Sequence, residues 1–115
     1  MEDTKIDVLG TEYVIHYRNE HDDPLLDGKY RDGYTDNSTH EIVICNQKED
    51  CELQNYENYR KSVLRHEIIH AFLYESGLDS SSNSYGAWAI NEEMVDWLAI
   101  QSPKIFRVFA ELKLL

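Results

Sequence analysis

The sequence lacks any apolar run that approaches a membrane span, which needs about 20 consecutive apolar residues as a helix. Its start, Met-Glu-Asp-Thr-Lys-Ile-Asp, has neither the basic opening nor the apolar core of a signal peptide. A cytoplasmic protein is expected, or one exported by a route that leaves no such mark. Cysteine is scarce, with only Cys45 and Cys51. A reducing compartment keeps such a pair as thiols, although the spacing would also allow a small disulfide loop. A zinc site built on them would need two further ligands, and only His40 is near; neither cysteine is assigned a function. Positive charge is short as well: 11 Lys and Arg stand against 22 Asp and Glu, for a net charge of −11. Residues 1–58 carry 15 acids and 5 bases, whereas residues 59–115 are nearly balanced. Phosphate backbones repel such a chain, so no direct nucleic-acid partner is expected unless another protein brings a basic surface. A solvated acidic surface accounts for most of this imbalance; a preference for basic substrate segments is the more specific reading.

What is present fits one domain, residues 1–115, with no internal repeat. Hydrophobic residues make up 42%, and eight tyrosines argue against disorder. Ile6–Leu9 and Thr11–Tyr17 read as short strands, the second β-branched and aromatic, with Gly10-Thr11 as a tight hairpin between them. His16 is a residue on a polar strand face. Asn19 to Asp36 is dense in turn signals (Asp22-Asp23-Pro24, Asp27-Gly28, Asp32-Gly33) and reads as a solvated loop. Its acids lack the EF-hand spacing, so no calcium site is assigned. Residues 38–46, centred on Ile42, Val43 and Ile44, form the third strand.

Helical signals fill the rest. The helical region is expected to begin at Glu49-Asp50 or nearby; from about Tyr56, Val63, Leu64, Ile68, Phe72 and Leu73 recur at helical spacing, and Gly77 is placed to stop the helix. Residues 78–86 are a Ser-rich loop. A second helix is expected over Ala87–Ile100, burying Ala89, Ile90, Met94, Trp97 and Leu98. Ser102-Pro103 then ends it and caps a third, amphipathic through Ile105, Phe106, Phe109 and Leu112. The fold class is α+β: a small antiparallel or mixed sheet of about three strands, packed on a central helix and one or two further C-terminal helices.

Inside the first helix stands His66-Glu67-Ile68-Ile69-His70. Residues i and i+4 share a helix face, so the two imidazoles can grip one cation, and Zn²⁺ suits nitrogen and oxygen donors. Glu67, one step round the helix, can reach a water at an open coordination position and act as general base. A catalytic zinc needs a third protein ligand. Glu92, in Asn91-Glu92-Glu93-Met94-Val95-Asp96, is the preferred choice and Glu93 its rival. Asp96 lies at i+4 from Glu92 and could accept the outer N–H of a ligand histidine, fixing its tautomer. Tyr85 is either a stabiliser of the oxyanion or a surface tyrosine.

These two stretches resemble the gluzincin pattern, H-E-x-x-H followed by N-E-x-x-S/T-D, of thermolysin-like metallopeptidases. The chain departs from it at Val95. Its length is closer to the minimal zincins, including the ImmA/IrrE-type metallopeptidases, and the resemblance covers roughly residues 38–100. It implies a minimal zincin-like domain with zinc as cofactor, His66, His70 and Glu92 as ligands, Glu67 as catalytic base and Asp96 behind the ligands. It also implies that the strand just ahead of the active-site helix is a sheet edge, to which an extended peptide adds as a further strand. The expected activity is peptide-bond hydrolysis on a peptide or protein substrate. Two alternatives stay open: a catalytically silent zincin-fold interaction or regulatory module, and a zinc hydrolase of non-peptide substrates.

Overall fold

Leu9 and Gly10 turn the chain back on itself, both with positive φ (51° and 92°), the pattern that matches the twist of a two-residue hairpin. They join β1 (Thr4–Val8) to β2 (Thr11–Arg18), with Val8 opposite Thr11. The loop is thus one residue earlier than Gly10-Thr11. The computed structural model describes residues 1–78 and 91–115. Among them the fold is α+β, a four-stranded mixed sheet and two long α-helices.

The two further strands correct the expected topology. Gly33–Asp36, expected within a loop, is strand β3, and the third apolar segment narrows to β4, Glu41–Cys45. The strand order is β1-β2-β4-β3, with β2 and β4 parallel and the other neighbours antiparallel. β4 is therefore an inner strand, not the edge that the family resemblance implied. Its residues Ile42, Val43, Ile44 and Cys45 are all buried. An unbroken apolar run of this kind belongs to a strand covered on both faces. Ile42 and Ile44 join Val8, Tyr13 and Ile15 under the first helix, while Val43 and Cys45 pack with Leu26 and Tyr34 on the opposite face. The segment expected as a solvated loop thus covers that second face. It also holds a short 3-10 turn, Glu20–Asp22.

Helix α1 spans Tyr56–Glu75 and so begins later than the expected start near Glu49-Asp50. The Asn55 side chain accepts the Asn58 N–H at its start, and Gly77, at φ 82°, follows its end as expected. Val63, Leu64, Ile68 and Ala71 meet the sheet. Phe72, expected in the buried stripe, is exposed.

Helix α2 spans Glu92–Glu111 without a break. Asn91 caps it by accepting the Met94 N–H. Its buried residues are Val95 and Ala99; Trp97, expected inside, is 56% exposed. Small side chains at i and i+4 let this face lie close against α1. Ser102-Pro103 does not divide it. Proline lacks the N–H that would bond the carbonyl four residues back, and the Ala99 carbonyl instead accepts from Arg65 Nε on α1. The Ser-rich loop, Tyr85 and the expected helix start with Ala87, Ala89 and Ile90 fall largely in 79–90, outside the described residues.

Candidate metal centre

The two helices run antiparallel, His70 facing Glu92 and His66 facing both Glu92 and Asp96. Helical spacing stacks His66 and His70, with ring centroids 4.7 Å apart. Their Nε2 atoms are 3.1 Å from each other. The Glu92 carboxylate closes the triangle, Oε2 at 3.2 Å from His66 Nε2 and Oε1 at 2.7 Å from His70 Nε2. Glu93, the rival, borders a separate cleft with Asn91, Met94 and Trp97. Asp96 Oδ1 lies 2.6 Å from His66 Nδ1. A carboxylate accepts, so Nδ1 donates, and the lone pair of Nε2 is left facing His70 and Glu92.

This donor set fits a zinc ion. Two imidazole nitrogens and a carboxylate converge, the lone pair of His66 Nε2 pointing inward, and a shared cation or proton would bridge them. Tetrahedral bonds of about 2.0–2.1 Å would separate the donors by roughly 3.3 Å; the two edges at His66 Nε2, 3.1 and 3.2 Å, are close to that, and the His70–Glu92 edge is shorter at 2.7 Å.

Glu67 is turned from the ligand triangle by one residue. It is buried, with Oε2 4.0 Å from His66 Nε2 and Oε1 accepting from the Thr35 hydroxyl at 2.8 Å. Burial pushes its carboxyl above the ordinary carboxylate range, against the opposing pull of the Thr35 hydrogen bond and the two histidines. A raised carboxyl pKa brings a general base closer to neutrality.

The groove at this site is made of two adjoining clefts that share Arg31, Gly33, His66, Glu67 and Glu92. One extends along Tyr34, Thr35 and Asn37, the other along Tyr59, Ser62 and Val63. Its sheet-side wall is β3. Cys45 N–H donates to the Asp32 carbonyl, so the hydrogen-bonded pairs with β4 fall at residues 32, 34 and 36. By the antiparallel alternation, the N–H and C=O groups of Gly33 and Thr35 point away from β4, on the edge that no other strand pairs with among the described residues. Gly33 is held tight against α1: a Cβ there would sit 2.9 Å from Val63 Cγ1. Lys48 Nζ donates to the carbonyls of Lys29 and Arg31 and anchors the chain that leads into this strand.

No protein-family model matches the chain, and neither a curated protein nor a solved structure does. The reading of the site therefore rests on its own atoms. His66, Glu67, His70, Glu92 and Asp96, all singled out by spacing, come together; Tyr85 lies outside the described residues. Thr35, Gly33 and Arg65 were not legible. Each acts through a partner distant in sequence, and no local pattern marks them.

Proposed function

We propose that the chain is a zinc-dependent metallopeptidase, with His66, His70 and Glu92 as ligands and Glu67 as general base. The observation that carries this reading is the convergence of Glu92 on both Nε2 atoms while Asp96 holds the far side of His66. A zinc ion bound there would supply an acidified water and polarise the scissile carbonyl. Glu67, buried beside the open side of the triangle, takes the proton of the attacking water and passes it to the leaving amine. The outward backbone groups of Gly33 and Thr35 hold an extended peptide as an added strand. This keeps the expected strand addition and moves it from residues 38–46 to β3.

The chain's acidity favours peptides with basic segments and disfavours nucleic acid. Cys45 and Cys51 are free thiols, which fits a reducing, cytoplasmic setting. Among the described residues no helix is long and apolar enough to cross a membrane.

Metal analysis of the purified protein and turnover of a quenched-peptide library test the proposal. Wild type is expected to bind one zinc and cleave peptides, and Glu67→Gln to keep the zinc and lose nearly all turnover. Zinc uptake with no peptide cleavage would move the reading to a silent zincin-fold module, or to a hydrolase of other substrates. Equal turnover by Glu67→Gln and wild type would remove Glu67 from the mechanism.

A further inference from the structure

We propose that Arg65 is a positioning residue for the metal centre, and that it acts by serving as the missing backbone donor of helix α2. The inference rests on the zinc-site reading above but concerns how the third ligand is held rather than what is cleaved.

Pro103 sits inside α2 and has no N–H, so the Ala99 carbonyl lacks the i+4 donor that a regular helix would give it. Ala99 is fully buried, where an unsatisfied carbonyl is costly and water is not at hand to replace the donor. Arg65 Nε, projecting from α1, donates to that carbonyl. The defect in one helix is thereby satisfied by a side chain of the other, and the two cannot slide apart without exposing it.

The placement ties this contact to the metal ligands. Arg65 is the residue before His66. Ala99 follows Glu92 by seven residues and Asp96 by three, so all three share one face of α2. The seam between the helices thus has two polar anchor points: the imidazole–carboxylate cluster at the Glu92 end and the Arg65–Ala99 contact further along. Val95, fully buried, lies between them. Glu92 and Asp96 are themselves exposed side chains on the first two turns of α2. Their approach to the histidines is fixed by the docking of the helix rather than by packing around each carboxylate. Arg65 fixes the rotation and height of α2 from below. Proline at 103 makes the contact specific, because a residue with an N–H there would satisfy Ala99 without help.

A double-mutant cycle tests this. Zinc affinity is measured by competition with a chromophoric chelator for wild type, Arg65→Met, Pro103→Ala and the double variant. The d–d spectrum of the cobalt-substituted protein is recorded for each. Arg65→Met is expected to weaken zinc binding by about 10–100-fold, the range for groups that orient ligands, and to alter the cobalt spectrum. Pro103→Ala restores an N–H to the helix, so adding Arg65→Met to it is expected to cost less than threefold. Equal losses in the two backgrounds would reduce Arg65 to ordinary packing and overturn the proposal, as would an Arg65→Met protein that binds zinc like wild type. If Arg65→Met does not fold, Arg65→Lys is run through the same cycle with the same two outcomes. A wild type that binds no zinc would sink the zinc-site reading instead. In that event the cycle is read in thermal unfolding midpoints of the metal-free protein, where non-additivity upholds the Arg65–Ala99 contact and additivity overturns it.

Discussion

Asp96 Oδ1 stands 2.6 Å from His66 Nδ1, on the opposite side of the ring from Glu92. The imidazole is clamped between two carboxylates from the same face of α2, one turn apart. The outer one selects the tautomer and the inner one shares the Nε2 side. Removing the outer carboxylate frees the ring and its proton. Asp96→Ala is expected to lower zinc affinity about 10–100-fold, with the fold intact by circular dichroism. Chelator competition measures it, and an unchanged affinity would separate Asp96 from the site.

Glu92 and Glu93 are neighbours about 100° apart on a helix, and only Glu92 reaches the histidines. Glu92→Ala should therefore release zinc on dialysis while Glu93→Ala retains it. Elemental analysis of the two variants side by side decides between them. The opposite order would make Glu93 the third ligand.

The side chain of Thr35 is expected to matter through its hydroxyl. Its Oγ1 donates to Glu67 Oε1 at 2.8 Å, and Glu67 is buried. Thr35→Val keeps the shape and the strand propensity but removes the donor. A hydrogen bond to a charged group contributes about 1.5–3 kcal/mol, and urea unfolding should register a loss of that order. Peptide turnover should fall while zinc content stays at the wild-type level. A Thr35→Val protein with wild-type turnover would leave Glu67 positioned by other means.

Gly33 lets β3 pass close to α1. A Cβ there would meet Val63 Cγ1 at 2.9 Å, the Val43 carbonyl at 3.1 Å and Ile44 Cδ1 at 3.2 Å. Two of these neighbours belong to β4 and the core, so they have little room to yield. Gly33→Ala should destabilise the domain by about 1–3 kcal/mol, the usual cost of overpacking. Peptide binding to an inactive Glu67→Gln background should weaken with it, since the same residue offers its backbone to the open side. Urea midpoints and fluorescence anisotropy report the two effects.

Acid should act through Asp23, the buried carboxylate among those whose pKa is lowered. Burial alone would raise its pKa, but hydrogen bonds from Tyr34, the Leu25 N–H and Arg18 outweigh it and hold the carboxyl below the ordinary range. A pKa lower in the folded than in the unfolded chain means the carboxylate form stabilises the fold. That contribution is complete above the ordinary value of about 3.9 and is lost as pH falls through the depressed folded pKa. Urea midpoints taken from pH 6 downward should drop steeply below about pH 4, and Asp23→Asn should flatten that part of the curve. An acid limb unchanged in Asp23→Asn would assign it to other carboxylates.

Much of the site and roughly half of the topology could be read along the chain. The i, i+4 spacing of His66 and His70 follows from helix pitch, and so does the pairing of Glu92 with Asp96. The start of β4 was displaced because Ser38–His40 looks extended by composition, whereas the Asp36 side chain accepts the Ser38 N–H and closes a turn there. β3 was hidden because four residues beginning at an Asp-Gly pair look like a turn. The unbroken apolar run Ile42–Cys45 is itself the mark of a strand covered on both faces. Trp97 was expected inside as a large apolar residue, but the seam with α1 takes the smaller Val95 and Ala99.

Periodic features are written into the residue order: one long helix with two imidazoles on one face, a stop at Gly77, and a second set of carboxylates spaced by a turn. Those depend on the geometry of a helix, which is local. Long-range packing set which strand lies at the sheet edge among the described residues, which hydroxyl meets Glu67, and which donor the Ala99 carbonyl ahead of Pro103 finds. Each of those outcomes is a contact between residues about 30 or more positions apart or a choice of neighbour within the sheet, and no short-range pattern encodes which partner a strand edge or an orphaned carbonyl will find.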